Sequence, residues 1–216
     1  MATRHILADL AGGYESQTGV RVEIRSMGGV EAAKLVRTGE AADIVVLASN
    51  VIKSLEAEGH IAKGSPRDFA RSEIALAVRA GLALPSVVDE QAVRRAALDA
   101  RRICYSTGPS GDHLKALCEK WGVSLTRALV APPGVPVATL VANGDADLGF
   151  QQLSELIDQP GVQIAGPLPP EIQAVTVFSA GIATRSRNLE SALGFVAYLA
   201  SSETGDAKRR YGMEPA

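Results

Sequence analysis

The sequence predicts an α/β fold of mainly parallel sheets flanked by helices, and three observations carry that reading. Short apolar or alternating runs, read as strands, repeatedly give way to segments whose apolar residues recur at helical spacing. Unbroken runs such as Ile44-Val45-Val46-Leu47 suit strands covered on both faces. Hydrophobic residues make up 46% of the 216 positions, enough for a substantial core in one large or two small lobes.

Taken in order, Ile6, Leu7, Leu10 and Tyr14 form one stripe, so 3–17 reads as a helix stopped by Gly19. Val20, Val22 and Ile24 alternate with polar residues, the pattern of a strand. Ser26-Met27-Gly28-Gly29 then leads into a helix carrying Val30, Ala33 and Val36, closed by Gly39. After the strand at Ile44–Leu47, Ser49 or Asn50 caps a helix with Ile52 and Leu55 inward and Gly59 at its end. Glu73–Val78 is a strand, and Asp89 opens a helix running through Val93 and Leu98. Arg102-Ile103-Cys104-Tyr105 is a buried strand, followed by a helix with Leu114, Leu117, Cys118 and Trp121 on one face. In the rigid segment Ala131–Pro136, Pro136 suits a first helical position, where its missing N–H costs nothing. The helix it starts carries Val137, Leu140 and Val141 and ends at Asn143-Gly144. Asp147–Gln151 is a strand and 152–157 a short helix, with a further short strand at Val162 and Ile164. Val175–Phe178 is a strand running on towards Ile182; Asn188 caps a helix bearing Leu189, Leu193, Val196 and Leu199, and Ser202 begins a last one ending near Gly212.

The stretch Tyr105-Ser106-Thr107-Gly108-Pro109-Ser110-Gly111-Asp112-His113 is the central candidate site. Backbone N–H groups at a helix start lack intrahelical partners and carry partial positive charge. Glycines there let the main chain approach a ligand, and the hydroxyls of Ser106, Thr107 and Ser110 add donors, which suits an anion. The same residues also fit an ordinary strand-to-helix turn with Ser110 as N-cap. Gly28–Gly29 and Gly134–Val135 are chemically similar junctions, and ligands in such sheets bind at the carboxyl ends of strands. Gln151 and Gln152 put two neutral amides where a strand ends, as a polar exit or as ligand contacts.

Charged residues at 21% with a net charge of −2 leave no basic footprint, and aromatic residues are 4%, so no nucleic acid is expected. Cys104 and Cys118 read as small core residues, and His5, His60 and His113 have no ligand-like spacing, so neither a metal nor a cofactor is expected. No apolar run approaches the roughly 20 residues of a membrane span, so no membrane insertion is expected. Met1-Ala2-Thr3-Arg4-His5 lacks a signal-peptide core, which points to the cytoplasm as written and to the periplasm if the N-terminus is truncated.

An ordered series of segments resembles the molybdate-type solute-binding proteins, which have the type II periplasmic fold. It comprises Gly19-Val20-Arg21-Val22 to Gly28, Ala33–Val36 to Gly39, Ala42-Asp43-Ile44-Val45-Val46-Leu47-Ala48-Ser49, Leu148–Leu156, and Ala207-Lys208-Arg209-Arg210-Tyr211-Gly212. The resemblance implies two α/β lobes joined by two crossover strands, with lobe 1 at 1–74 and 178–216 and lobe 2 at 75–177. An anion would be held in the cleft between them, closing by a hinge motion, and an ABC transporter permease would be the partner if the chain is exported.

Three departures stand out. The family's first strand and ligand-bearing turn precede its first helix; here Met1-Ala2-Thr3 falls in that turn and the strand is absent, which would open the sheet. Serine hydroxyls of the family are replaced by Gly28-Gly29, and its tyrosine contact falls at Gln152. Fewer hydroxyls and an added amide suit an organic carboxylate better than a compact oxyanion. The Gln-Gln-Leu-Ser-Glu-Leu and Gly-Pro-Leu-Pro-Pro runs resemble a branch that includes aconitate isomerase.

The expected ligand contacts are Thr3, Arg4, Ser26, Gly28, Gly29, Ser110, Gly111, Gly134, Val135, Gln151 and Gln152. The leading function is binding of a small anion, an oxyanion or an organic carboxylate. One alternative is an isomerase of a small tricarboxylate. Moving a double bond beside a carboxylate needs a base within reach of the carbon-bound proton, for which His113 and Asp112 are the candidates, with Arg4 as a carboxylate clamp. Another alternative is a cytoplasmic ligand-sensing domain.

Overall fold

A computed structural model describes residues 2–216; Met1 lies outside the described residues. In chain order the elements are α1 (Arg4–Thr18), α2 (Gly29–Arg37), β1 (Ile44–Ala48), α3 (Ser49–Ala57), β2 (Arg67–Ser72), β3 (Ile74–Arg79) and α4 (Glu90–Asp99). Then come β4 (Ile103–Tyr105), α5 (Pro109–Trp121), β5 (Leu129–Val130), α6 (Val137–Ala142), β6 (Leu148–Gln152), α7 (Leu153–Leu156) and β7 (Val162–Pro167). The chain finishes with β8 (Thr176–Ile182), α8 (Leu189–Ala200), α9 (Gly205–Arg210) and β9 (Glu214–Pro215), with 3-10 turns at Pro170–Ile172 and Ser202–Thr204. The chain divides into two compact units: unit 1 runs to Ser72 and resumes at Thr176, and unit 2 is Glu73–Val175.

Unit 1 is built on a four-stranded sheet of order β1-β8-β2-β9, every pair antiparallel. One face is covered by α1, α8 and α9. Ile6, Leu7, Leu10 and Tyr14 of α1 pack with Phe69, Phe178, Phe195 and Leu199, and the rings of Tyr14 and Phe195 meet edge-on at 5.2 Å. Ile52 and Leu55 of α3 join Ile61, Val45 and Leu47 in a second cluster. Gly19 ends α1 in the left-handed conformation (φ 73°), its N–H returning to the Glu15 carbonyl.

Two strand readings are corrected here. Val20, Val22 and Ile24 do turn towards the α1 core, yet Val20–Ile24 is not a strand. Alternation reports which side chains are buried; a strand also needs a neighbour to take its N–H and C=O groups. Among the described residues β1 pairs only with β8 and so forms one edge of the sheet. Ala2 and Thr3 form a turn. Conversely β2, Arg67-Asp68-Phe69-Ala70-Arg71-Ser72, lacks any apolar run and was not expected, but it lies between β8 and β9 with Phe69, Ala70 and Ser72 buried. Ladder hydrogen bonds on both sides override its weak propensity.

Unit 2 has a five-stranded mixed sheet of order β5-β4-β6-β3-β7. β5, β4 and β6 are parallel, whereas β3 is antiparallel to both β6 and β7. The expectation of mainly parallel sheets is therefore met only by the β5-β4-β6 half of unit 2. Gly149 of β6 lets α6 sit close, since a Cβ there would meet Val137 Cγ1 and Val141 Cγ2, each at 2.9 Å. Both cysteines are buried in this unit, and burial pushes the Cys104 thiol up to about 12 and Cys118 up to about 11, so neither is a ready thiolate.

One side chain closes unit 2 where the chain enters and leaves it. The Gln173 carbonyl oxygen accepts the Ile74 N–H at 2.9 Å, while its amide nitrogen donates to the Ile74 and Leu168 carbonyls, each at 3.1 Å. The amide thus supplies the donor and acceptor that a further strand would offer at the start of β3.

Lys208 of α9 is buried to 1% exposure with its ammonium 6.0 Å from the Phe69 ring centroid, and it forms no ion pair among the described residues. Desolvation holds its pKa below the ordinary 10.5. A lysine whose folded pKa is depressed binds fewer protons than in the unfolded chain, so stability rises with pH between the folded pKa and 10.5 and carries the full cost below that window. Lys208→Met should raise Tm at neutral pH, by about 2–4 °C for each kcal/mol of desolvation removed, and flatten the alkaline rise in stability. Thermal melts across pH check this; a lower Tm in the variant would show that the ammonium is well solvated.

Candidate functional site

The register of the parallel strands decides where the loops meet. Tyr105 lies opposite Val130 on one side and Phe150 on the other, so β5, β4 and β6 end at one edge of the unit 2 sheet. The Ala131 N–H donates to the Tyr105 carbonyl at 2.8 Å, extending the β4–β5 contact into the following loop. Loop 106–108 leads to α5, loop 131–136 leads to α6, and β6 runs on through Gln151 and Gln152. Ser110, Gly111, Gly134, Val135, Gln151 and Gln152 are thereby gathered at this edge.

At the α5 start the N-cap is Gly108, with Pro109 as the first helical residue. The reading of Ser110 as N-cap is corrected: Ser110 is one place further in, buried to 1%. At that position its N–H has no intrahelical acceptor. The Gly111 N–H instead returns to the Gly108 carbonyl at 2.9 Å. Glycine is required at 111 for a packing reason, because a Cβ would lie 1.7 Å from the Ser106 carbonyl oxygen and 3.0 Å from the Tyr105 ring.

Val135 donates its N–H to the Pro132 carbonyl at 3.0 Å, closing the turn on which Gly134 has φ 80°. Pro136 is the N-cap of α6 and Val137 its first residue, one place later than the sequence suggested. The Val137 N–H is taken at 3.2 Å by the side-chain oxygen of Gln151, whose amide nitrogen donates to Glu155 at 2.8 Å. Gln151 is 2% exposed, so its amide is committed within the unit. Burial raises the Glu155 carboxyl above the usual range, against the pull of the Gln151 amide. Gln152, equally buried, faces Ile74 across the β6–β3 ladder.

The proposed bases point elsewhere. His113 donates from Nε2 to the Ile172 carbonyl at 2.7 Å, and Asp112 is an exposed partner of Lys115 at 2.6 Å. The His113 ring is thus oriented by Ile172, and Asp112 by Lys115 on the exposed side of α5.

The remaining candidates belong to unit 1. Thr3 is buried at the N-terminal end of α1, its carbonyl accepting the Leu7 N–H at 2.9 Å, and Arg4 is exposed in the first turn. Ser26 is exposed, and Gly28 caps α2 with open space where a Cβ would be. A Cβ on Gly29 would lie 3.6 Å from Leu47 Cδ2, near the carboxyl end of β1.

Two groups escaped the sequence reading. Glu155 stands four residues after Gln151, a spacing that carried the signal unread. Asp68 accepts the hydroxyls of Ser179 and, at 3.1 Å, Ser49. It was hidden inside the unrecognised β2, and Ser49 was read only as a cap. Among the described residues no cluster of His, Cys, Asp and Glu that could hold a metal occurs, and no helix is long and apolar enough to cross a membrane.

Comparison with known proteins agrees with this architecture. Residues 1–214 match the model of a family described as bacterial extracellular solute-binding protein, and the chain belongs to that family. The chain is 34% identical over 219 residues to an aconitate isomerase from Pseudomonas sp., covering 97% of this chain and 83% of that protein. The periplasmic molybdate-binding protein of Azotobacter vinelandii has the same fold, with a TM-score of 0.78 at 23% identity over 98% of this chain and 95% of that one. So does the PBP AgtB of A. tumefaciens in complex with agropinic acid, with a TM-score of 0.74 at 11% identity over 100% of this chain and 80% of that one.

The close approach at Gly111 sets a contrast between two glycines. Gly111→Ala should destabilise by about 1–3 kcal/mol or more, because the backbone carbonyl it meets cannot step aside. Gly12→Ala, in exposed helix with nothing within 4 Å, should stabilise by about 0.5–1 kcal/mol. Urea midpoints of the two variants check both signs.

Proposed function

We propose that this solute-binding protein takes a small organic anion bearing more than one carboxylate, with the edge formed by β5, β4 and β6 contributing the specificity contacts. The observation that carries the reading is the shared carboxyl end of these three strands, which brings the α5 start and Gln152 to one place. A carboxylate can accept from main-chain N–H groups and hydroxyls there, at about 1.5–3 kcal/mol for each charge-assisted bond. Gln152, where the molybdate-type pattern has a tyrosine, adds an amide suited to a second polar group on a larger ligand. The kinship with an aconitate isomerase and the agropinic acid held by a protein of the same fold support an organic acid over a tetrahedral oxyanion. An ABC transporter permease is the partner consistent with the family.

A second reading, isomerisation of a small tricarboxylate, rests on the 34% identity to aconitate isomerase. The His113 ring is turned to Ile172 and Asp112 to Lys115, an orientation that favours some other group as its base.

Calorimetry with cis-aconitate, trans-aconitate, citrate, molybdate and sulfate separates the ligand classes. We expect a tricarboxylate to bind, and Gln152→Ala to weaken it by roughly 1–2 kcal/mol, about 5–30-fold. Tight molybdate binding with no response to carboxylates would overturn the reading. Ultraviolet absorbance of cis- and trans-aconitate reports turnover; if it occurs, His113→Ala and Asp112→Ala should leave it unchanged.

A further inference from the structure

Gln151 is a buried amide at the strand edge with a partner at each end. Its oxygen faces the first N–H of α6, at 3.2 Å from the Val137 nitrogen. Only the oxygen can accept that proton, so the NH2 must turn the other way, where it meets Glu155 at 2.8 Å. The carboxylate therefore fixes the sense of the amide, and the amide fixes the start of α6. That helix has only six residues; its first, Val137, is buried against Gly149 of β6, and the Gln151 amide adds a directional polar hold to that apolar one. Gln152, the next residue along β6, occupies the adjoining strand position.

We infer that Glu155 and Gln151 form a positioning relay that holds the start of α6, and with it loop 131–136, against the end of β6. Gln151 is in this account a positioning residue and makes no contact with the ligand. The inference rests on the reading that these loops take up an organic anion.

The relay can be rebuilt with its donor reversed, and that supplies the test. Gln151→Glu sets two buried carboxyl groups face to face, which repel unless they take up a proton between them, so the comparison is made on the alkaline side, where that proton is lost. Gln151→Glu combined with Glu155→Gln restores both bonds, residue 151 accepting from Val137 and from the new amide at 155. Amide hydrogen exchange at Val137, followed by NMR on the full chain, should quicken about ten-fold or more in the single variant and return to within a few-fold of wild type in the double. Affinity for trans-aconitate should fall and recover in parallel. Recovery of exchange protection without recovery of affinity would show that the Gln151 NH2 touches the ligand, and would overturn the positioning role. Unchanged Val137 exchange in Gln151→Glu would overturn the relay itself. If the wild-type protein fails to bind trans-aconitate, citrate and cis-aconitate alike, the ligand reading falls, and the exchange data alone decide the relay.

Discussion

Everything proposed for unit 2 depends on one constraint, the parallel pairing of β4 with β5 and β6. Parallel strands end on the same side of a sheet, so loops distant in sequence leave from one edge. Antiparallel pairing of the same segments would send loop 106–108 and Gln152 to opposite edges. The pairing is held by burial on both faces: Ile103, Cys104, Leu148 and Phe150 are all enclosed, and a slip of one residue would turn this set over. Unit 1 reaches a sheet of similar size by antiparallel pairing throughout, so the two units share composition without sharing a rule for where their loops go.

Much of this was legible from residue spacing, and the failures have physical causes. The stripes of α1 and α5 report burial of one helix face, which is what helical periodicity measures; in α8 Leu189 and Leu193 of the expected stripe are exposed, and Ala192 and Phe195 join Val196 and Leu199 in the core. β2 was invisible because its hydrogen bonds, made on both sides, carry it despite charged residues at Arg67, Asp68 and Arg71. Val20–Ile24 was overread for the opposite reason, since inward side chains were present and strand partners were not. The glycine junctions were correctly located, but what glycine does at 111 could not be known without the position of the Ser106 carbonyl. The two glutamines stood out in the sequence as neutral amides at a strand end, and both are buried. Their division of labour was not readable, because it depends on Glu155 and Val137 being brought to Gln151 by the turn after β6 and the packing of α6.

A general lesson lies in the amides of α6 and α5. Helix starts next to glycine are often read as vacant donors, but at α6 and at Gly111 the protein has used those donors itself. What such a motif offers a ligand is therefore narrower than its sequence suggests. One fold nevertheless serves proteins described as binding molybdate and as holding agropinic acid, so the fold alone does not choose the solute.

Gln173 carries a different kind of burden. Its amide joins segments 99 residues apart in the chain, doing with one side chain what a ladder spreads over many peptide groups. A ladder tolerates drift, because losing one rung leaves the others. Here the side chain shares its join with main-chain bonds, the Leu168 N–H to the Ile74 carbonyl and the β3–β7 ladder beyond, so one codon tightens a corner that the backbone already closes.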